Sequence, residues 1–173
     1  STRWNWRIQQ EYISNNYTAE VGYIPRKNYL KLQVKGGYLN YTKKETILLS
    51  HGPSVSQTYF FDSKLDNKDQ LISLKYLFNF KNRSQLSIGF QNQFIQLLSN
   101  FDPLRTGIAF LDEGTNHKWN NFTISYNSKP QNRFTYSLET ITGGYYSEGK
   151  RSAFMGEFGY RFQPFLELSS VVN

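Results

Sequence analysis

The chain of 173 residues contains no cysteine, only one methionine and five prolines. Without cysteine it can form neither a disulfide framework nor a thiolate metal site, which excludes the small disulfide-rich secreted scaffolds. Long apolar runs are missing as well, since no stretch approaches the roughly 18 apolar residues of a membrane-spanning helix. Any membrane crossing would therefore have to be made by strands.

Hydrophobic residues are few, but aromatic residues are abundant. The hydrophobic fraction is 38% and the mean hydropathy is −0.61, values that alone would fit an ordinary soluble or a poorly folded chain. The aromatic fraction, however, is 17%. Because disordered chains are depleted in aromatic residues, the composition predicts a folded domain.

The net charge of +7 would suit nucleic acid, anionic lipid or the phosphates of lipopolysaccharide. Lysine and arginine are scattered along the chain, however, and no basic block points to nucleic acid. A solvated surface of mixed charge is the favoured interpretation over a dedicated polyanion site. The chain starts at Ser1. An exported barrel needs a signal peptide, so a processed or partial chain is expected.

Apolar and polar residues alternate with a period of two along most of the chain. In the first segment Trp4, Trp6 and Ile8 alternate with Asn5 and Arg7, which predicts a strand with one apolar and one polar face. The alternation predicts nine strands, and it is clearest at 4–12, 30–41, 46–61, 72–80, 86–94, 121–126, 133–139, 154–162 and from 165 onwards. Gly52-Pro53 predicts a bulge or break inside the third of these strands.

The connections between these strands alternate in length. The longer ones are expected at 14–28, 62–69, 99–116 and 145–149, and the tight ones at 43–44, 81–83, 128–131 and 163–164. Bacterial outer-membrane barrels combine short periplasmic turns with longer external loops in this way. The sequence therefore predicts an all-β, antiparallel, up-and-down transmembrane β-barrel.

Strand length and aromatic placement agree with this prediction. Most of the predicted segments span roughly 10 to 13 residues, whereas strands of soluble proteins average about 5 or 6. Aromatic residues near strand ends are expected to form girdles at the membrane interfaces: Trp4, Tyr12, Tyr41, Phe61, Trp119, Tyr126 and Tyr160. Because bacterial single-chain barrels have an even number of strands, residues 1–173 are expected to be part of one barrel domain with further strands outside this segment.

Charged residues on the polar parity are expected to face the lumen of such a barrel. Glu139, Glu157 and Arg161, on neighbouring strands, are the predicted lumen charge cluster, and an internal solvated network is favoured over a selective binding site. His51 and His117 have no metal-ligand spacing. The sequence predicts no enzyme, no catalytic, cofactor-binding or metal-binding residue, and no cofactor.

Three segments together resemble a known family. These are Glu20-Val21-Gly22-Tyr23-Ile24-Pro25-Arg26, the loop from Phe101-Asp102-Pro103 to Gly114, and Gly144-Tyr145-Tyr146-Ser147-Glu148-Gly149. Their order and spacing resemble an uncharacterised family of Gram-negative outer-membrane β-barrel proteins. In that family a domain similar to carbohydrate-binding modules of family 9 precedes a large C-terminal barrel. The resemblance covers most of the chain, within the middle of the barrel.

The resemblance implies a missing N-terminal β-sandwich, missing strands on both sides and no established activity, with Arg26 as a loop anchor. The expected function is a non-enzymatic barrel in the outer membrane of a Gram-negative bacterium that anchors or serves surface glycan handling or an envelope complex. Its expected partners are outer-membrane lipid and lipopolysaccharide, then glycans or other envelope proteins, but no nucleic acid. The alternative is a soluble lipocalin-like β-barrel that binds a small apolar ligand and turns its apolar faces inward.

Overall fold

The computed structural model describes residues 3–14, 16, 28–43, 46–103, 106–107, 110–146, 148–162 and 166–172. They form ten strands: β1 (Trp4–Ile13), β2 (Tyr29–Tyr38), β3 (Asn40–Tyr41), β4 (Leu48–Phe61), β5 (Asn67–Phe80), β6 (Gln85–Gln96), β7 (Asn116–Asn127), β8 (Phe134–Tyr145), β9 (Gly149–Phe162) and β10 (Leu166–Val172). In these ranges there is no helix with the length and apolar character to cross a membrane.

The strands form one antiparallel up-and-down sheet in the order β1-β2-β4-β5-β6-β7-β8-β9-β10, with the short β3 paired to β4. The nine long strands confirm the predicted meander, and β3 continues the predicted second strand after a break at Leu39. In the described part of the chain the sheet is open, because β1 and β10 are its two edges and do not pair with each other.

The connections lie at two opposite ends of the sheet. We call the end with 14–28, 62–66, 97–115 and 146–148 the loop end, and the end with 42–47, 81–84, 128–133 and 163–165 the turn end. The predicted alternation of lengths holds for 14–28 and 97–115. It is wrong for 62–66 and 146–148, which are as short as the turns because β5, β8 and β9 extend further than the alternation indicated.

The two faces of the sheet differ in chemistry and in exposure. On β7, Asn121 and Thr123 are 5% and 3% exposed on the polar face, while the intervening Phe122 is 61% exposed on the apolar face. Among the described residues Leu97 is the only buried hydrophobic side chain, whereas six polar side chains are buried: Ser50, Ser73, Ser84, His117, Asn121 and Thr123. The sheet is therefore apolar on its exposed face and has no apolar core.

The predicted irregularity at Gly52-Pro53 falls on the partner strand. β4 runs unbroken through both residues, and Pro53 pairs in register with Tyr76 on β5. On its other side Pro53 has no N–H to donate to the ladder, so β2 ends at Tyr38 and resumes as β3. The N–H of Leu39 instead donates to the carbonyl of Arg3 on β1, at 2.8 Å.

Gly52 is the residue that permits this arrangement. A Cβ atom there would collide with the carbonyl of Tyr38, while a Cβ atom at Gly36 would lie at an ordinary 3.7 Å from Cγ1 of Val55. We expect Gly52→Ala to lower the free energy of unfolding of the full-length protein by about 1–3 kcal/mol, because the backbones must separate. The matched control Gly36→Ala should change it little. Equal urea midpoints for the two variants would contradict the close approach.

Candidate ligand site at the loop end of the polar face

A cavity of about 200 Å³ lies on the polar face near the loop end. The register brings its lining together, because Phe60 on β4 is opposite Asp69, which is opposite Ile95 on β6. One step further down the strands, Gln93 lies between Leu71 and Trp119 in the same way. We define the loop-end cup by its polar-face lining residues Phe60, Asp69, Leu71, Gln93, Ile95 and Trp119.

The wall on the β4 side of the loop-end cup is held by side chains of β1 and β2. The ring of Tyr29 meets Phe60 edge-on with centroids 5.4 Å apart, and Nζ of Lys31 lies 5.6 Å from the Phe60 centroid. The Tyr29 hydroxyl donates to Glu11 at 2.6 Å, and Lys31 forms an ion pair with the same carboxylate at 4.0 Å. These contacts fix the orientation of the Phe60 ring.

The opposite wall, Trp119, is positioned by Asn121 and by a glycine pair on β8. With its amide oriented to satisfy its neighbours, Asn121 accepts from the indole N–H of Trp119 at 3.2 Å and donates to the carbonyl of Gly144 at 2.9 Å. A Cβ atom at Gly144 would lie 2.9 Å from the Cβ of Trp119. The absence of a side chain at Gly144 therefore lets β8 pass close to the indole.

An aromatic cluster closes the loop end behind Trp119. The ring of Tyr146 lies 4.9 Å from that of Trp119 and 4.7 Å from that of Tyr145, and it contacts Phe101 at 4.8 Å and His117 at 5.8 Å. Tyr146 has φ 53°, a left-handed conformation that is uncommon outside glycine. This conformation turns its side chain back over the polar face.

The sheet curves toward its polar face at this end, because Phe60 on β4 and Trp119 on β7 line one cavity although their strands are three steps apart. Burial raises the pKa of the Tyr146 hydroxyl above its ordinary value, and the charges of Tyr145 and Asp69 raise that pKa further. Asp69 lies on β5, three strands away from β8 in the sheet.

The loop 97–115 forms a hairpin that joins this aromatic cluster. Phe101 and Leu111 exchange two backbone hydrogen bonds of 3.0 and 2.8 Å, and Leu97 pairs with Thr115 and Gly114 at the base. The Asp102 carboxylate accepts from the N–H of Gly107 at 2.6 Å. Because the Phe101 ring packs on Tyr146, the hairpin is attached to the polar side of the loop end.

The loop-end cup can hold a ligand that has both an apolar surface and hydroxyl groups. Phe60 and Trp119 offer ring faces, while the carboxylate of Asp69 and the amide of Gln93 can accept and donate hydrogen bonds. The assignment of Trp119 to an interfacial girdle is wrong, since its parity places it on the polar face with His117 and Asn121. The sequence could have shown this, because Trp119 is an odd number of residues from the apolar positions Phe122 and Ile124 of the same strand.

The predicted lumen charge cluster lies on the polar face of β8 and β9. Glu139 is opposite Met155, Glu157 is opposite Ser137, and the two carboxylates line one cavity of about 220 Å³. Glu157 and Arg161 line a second cavity of about 270 Å³. Within the described residues no ion pair joins Arg161 to either glutamate, and its guanidinium donates to the carbonyl of Pro130 at 3.3 Å.

None of the other candidates from the sequence belongs to the described lining of the loop-end cup. Arg26, the expected loop anchor, lies outside the described residues. His117 is buried, and its Nε2 is 2.8 Å from the Thr115 hydroxyl. His51 lies against Tyr76, with Nδ1 2.7 Å from the hydroxyl. The part of the chain that the structure describes brings no three His, Asp or Glu side chains together in a metal-binding arrangement.

Comparisons with protein-family models, with curated protein sequences and with solved structures found no match to this chain. The family resemblance of the three glycine-aromatic segments stays a prediction.

The aromatic cluster predicts how the loop 97–115 responds to substitution. Phe101→Ala removes the ring that packs on Tyr146, and aromatic pairs contribute about 0.5–1.5 kcal/mol, so opening of the loop should increase up to about tenfold. Limited trypsin digestion of the full-length protein would report this opening as faster cleavage within the loop. Phe110→Ala on the same loop is the control, because Phe110 is 56% exposed. Equal cleavage of both variants would show that the cluster does not hold the loop.

Proposed function

We propose that this chain is a wall segment of a non-enzymatic outer-membrane β-barrel, with its apolar face in lipid, its polar face toward the lumen and its loop end outside. The observation that carries the proposal is the inverted exposure of the two faces. Large apolar side chains such as Trp6, Phe122 and Phe154 are more than half exposed, while polar neighbours are buried. Water disfavours an apolar surface of this extent, and hydrocarbon does not.

The apolar belt, meaning the exposed apolar side chains of this face, crosses the sheet obliquely. One row of register partners leads from Trp6 on β1 to Ser152 on β9, through Gly36, Val55, Leu74, Phe90, Phe122 and Thr142. On β1 the apolar run 4–12 is centred on Ile8, two residues from Trp6 toward the loop end. On β9 the run 154–162 is centred on Phe158, six residues from Ser152 toward the turn end.

This drift has the size that a tilted barrel wall requires. The apolar belt moves about eight residues along the strands over seven steps between neighbours, or roughly one residue per strand. With a rise of about 3.3 Å per residue and a spacing of about 4.8 Å between strands, the strands tilt by roughly 40° from the normal to the belt. Strands of outer-membrane barrels tilt by about 35–45°. A flat membrane boundary across tilted strands therefore accounts for the oblique pattern.

The direction of the two edge strands bears on how the barrel closes. β1 and β10 both run from the turn end to the loop end, since seven strands of alternating direction separate them. Closing the sheet between them would require a parallel pair, whereas antiparallel closure requires at least one further strand. Unpaired edges are unfavourable in hydrocarbon. We propose that strands outside this segment complete the barrel.

One observation favours the alternative function of apolar ligand binding. A groove of about 870 Å³ runs across the apolar face, and its lining includes Trp4, Gly36, Leu74 and Phe122. If the apolar face turned inward in a soluble barrel, this groove would be its ligand cavity. The buried polar side chains on the opposite face favour the membrane function. In a soluble barrel that face would be the outer surface, and its polar side chains would be exposed to water.

Two arginine substitutions, one on each face of the sheet, test the membrane assignment. Leu74→Arg, in the middle of the apolar belt, should destabilise the folded full-length protein by about 2–4 kcal/mol in lipid vesicles. Gln91→Arg, on the polar face of the neighbouring strand, should have a small effect. The measurements are membrane fractionation, gel mobility with and without boiling, and urea unfolding in vesicles. A water-soluble protein without a heat-dependent mobility shift would support the soluble barrel instead.

We propose further that the barrel serves surface glycans through the loop-end cup. The pairing of aromatic ring faces with Asp69 and Gln93 supports this role, because sugar rings present both apolar C–H surfaces and hydroxyl groups. The position of the loop-end cup beside the external loops supports access from outside the cell.

Glycan binding by the loop-end cup can be tested on a glycan array with the detergent-folded full-length protein. Trp119→Ala should weaken binding of the recognised glycan by about tenfold, because one aromatic wall is lost. Trp119→Phe keeps a ring and should retain most of the affinity, and Asp69→Asn should weaken hydrogen bonding to the glycan. Unchanged binding by Trp119→Ala would contradict the role of the loop-end cup and leave the membrane proposal standing.

A further inference from the structure

The net charge of the protein is concentrated at the turn end. We counted charges by sequence in the turn-end connections together with the adjoining strand residues Phe80, Arg161 and Phe162 and the first four residues, which gives the five stretches 1–4, 42–47, 80–84, 128–133 and 161–165. They hold eight Lys or Arg residues and one Asp or Glu. The remaining sequence holds 12 residues of each sign, so the whole excess of +7 falls in these stretches. The scattered basic residues of the sequence are thus gathered by the meander, which returns to the same end at every second connection.

The described side chains of this set form a rim that we call the cationic collar: Arg3, Lys43, Lys81, Arg83, Lys129, Arg133 and Arg161. Five of the seven are exposed, and Lys129 and Arg161 are half-buried. No Asp or Glu lies among the described residues of the turns.

The turns that carry the cationic collar are joined to one another. The N–H of Lys81 donates to the carbonyl of Ile47 at 3.0 Å, which links the first two turns. Arg83 donates to the side-chain oxygen of Gln131 at 2.6 and 3.1 Å once that amide is oriented correctly, which links the second and third turns. The acceptor in this last contact is a neutral amide, so the contact positions the guanidinium without neutralising its charge.

The cationic collar directly borders the apolar belt. At five passages of the chain an aromatic residue of the apolar face stands next to, or within three residues of, a collar cation: Arg3 and Trp4, Phe80 and Lys81, Tyr126 and Lys129, Arg133 and Phe134, Arg161 and Phe162. Aromatic rings that end an apolar belt mark the boundary between hydrocarbon and headgroups. Cations just beyond that boundary are at the depth of lipid phosphates.

The loop end is electrostatically different. The three ion pairs found among the described residues all lie there, between Glu11 and Lys31, Asp62 and Lys68, and Asp66 and Lys68. In addition, the Asp62 carboxylate accepts from the N–H groups of Lys64 and Asp66 at 2.8 and 2.9 Å, and its pKa is lowered chiefly by these backbone bonds. Opposite charges at the loop end thus compensate one another within the protein, whereas cations outnumber anions by eight to one in the turn-end stretches.

We propose that the cationic collar binds the anionic phospholipid headgroups of the leaflet on the turn side. The inference rests on the membrane position proposed above, and it adds that the turn end binds anionic phospholipid. An anionic leaflet attracts each nearby Lys or Arg enough to change affinity roughly fivefold, within the Debye length of the surface. Phosphates lie at the depth of the cationic collar, and the aromatic residues beside it hold it at that depth.

The test uses the full-length protein and vesicles of phosphatidylcholine, alone or with phosphatidylglycerol as the anionic lipid. The readout is the lipid concentration at which half of the protein is inserted and shows heat-shifted mobility. The collar variant combines Lys43→Gln, Lys129→Gln and Arg133→Gln. The matched control combines Lys64→Gln, Lys118→Gln and Lys150→Gln, which removes three cations from the loop end. Folding of all variants is first verified in neutral detergent.

The original protein should insert at much lower lipid concentration when phosphatidylglycerol is present. The collar variant should lose most of this preference, on the order of a hundredfold for three charges at low salt, while the control keeps it. High salt should also weaken the preference of the original protein for vesicles that contain phosphatidylglycerol. Insertion that does not depend on phosphatidylglycerol would overturn the proposal that the cationic collar binds anionic headgroups. An equal loss of the preference in the control variant would overturn it as well. Failure to insert in any vesicle would overturn the membrane position itself.

Discussion

The antiparallel register is the constraint on which every other feature of this protein depends. Pairing continues from β1 to β10, and the shifts within it are confined to the two ends of the β4–β5 pair. Because side chains alternate with a period of two, a slip by one residue would exchange the faces of a strand. On β7 such a slip would bring Phe122 and Ile124 into the polar face and expose Asn121 and Thr123. The register thus keeps the apolar belt, the loop-end cup and the cationic collar on separate surfaces.

The strands could be predicted from the sequence because alternation is a local property. Trp4 to Tyr12 shows its two faces without reference to any other strand, and all nine long strands were found in this way. The break at Leu39 could not be found, because its cause is Pro53 on the partner strand. A proline in β4 removes a donor that the neighbouring strand needs, so the disturbance appears where the sequence shows nothing unusual.

The loop-end cup and the cationic collar were missed for a related reason. Phe60 and Trp119 lie on strands that are three steps apart in the sheet, and no spacing along the chain predicts that they line one cavity. Each turn contributes only one or two of the collar cations. In the sequence they therefore appear as scattered basic residues of a solvated surface. Parity places Glu139, Glu157 and Arg161 on one face, but parity does not decide which of them touch.

The concentration of charge at one end means that the two ends differ in the work needed to carry them through a bilayer. The loop-end connections carry four cations and seven anions by sequence, which is a smaller imbalance, and Asp62 and Asp66 are already paired with Lys68. The turn-end stretches carry a cationic excess equal to the whole net charge of +7. A charge without a partner is the most unfavourable group to place in hydrocarbon. On the proposed membrane position, entry of this wall into a membrane would therefore be vectorial: the loop end would lead, and the turn end would stay on the side from which the protein arrived.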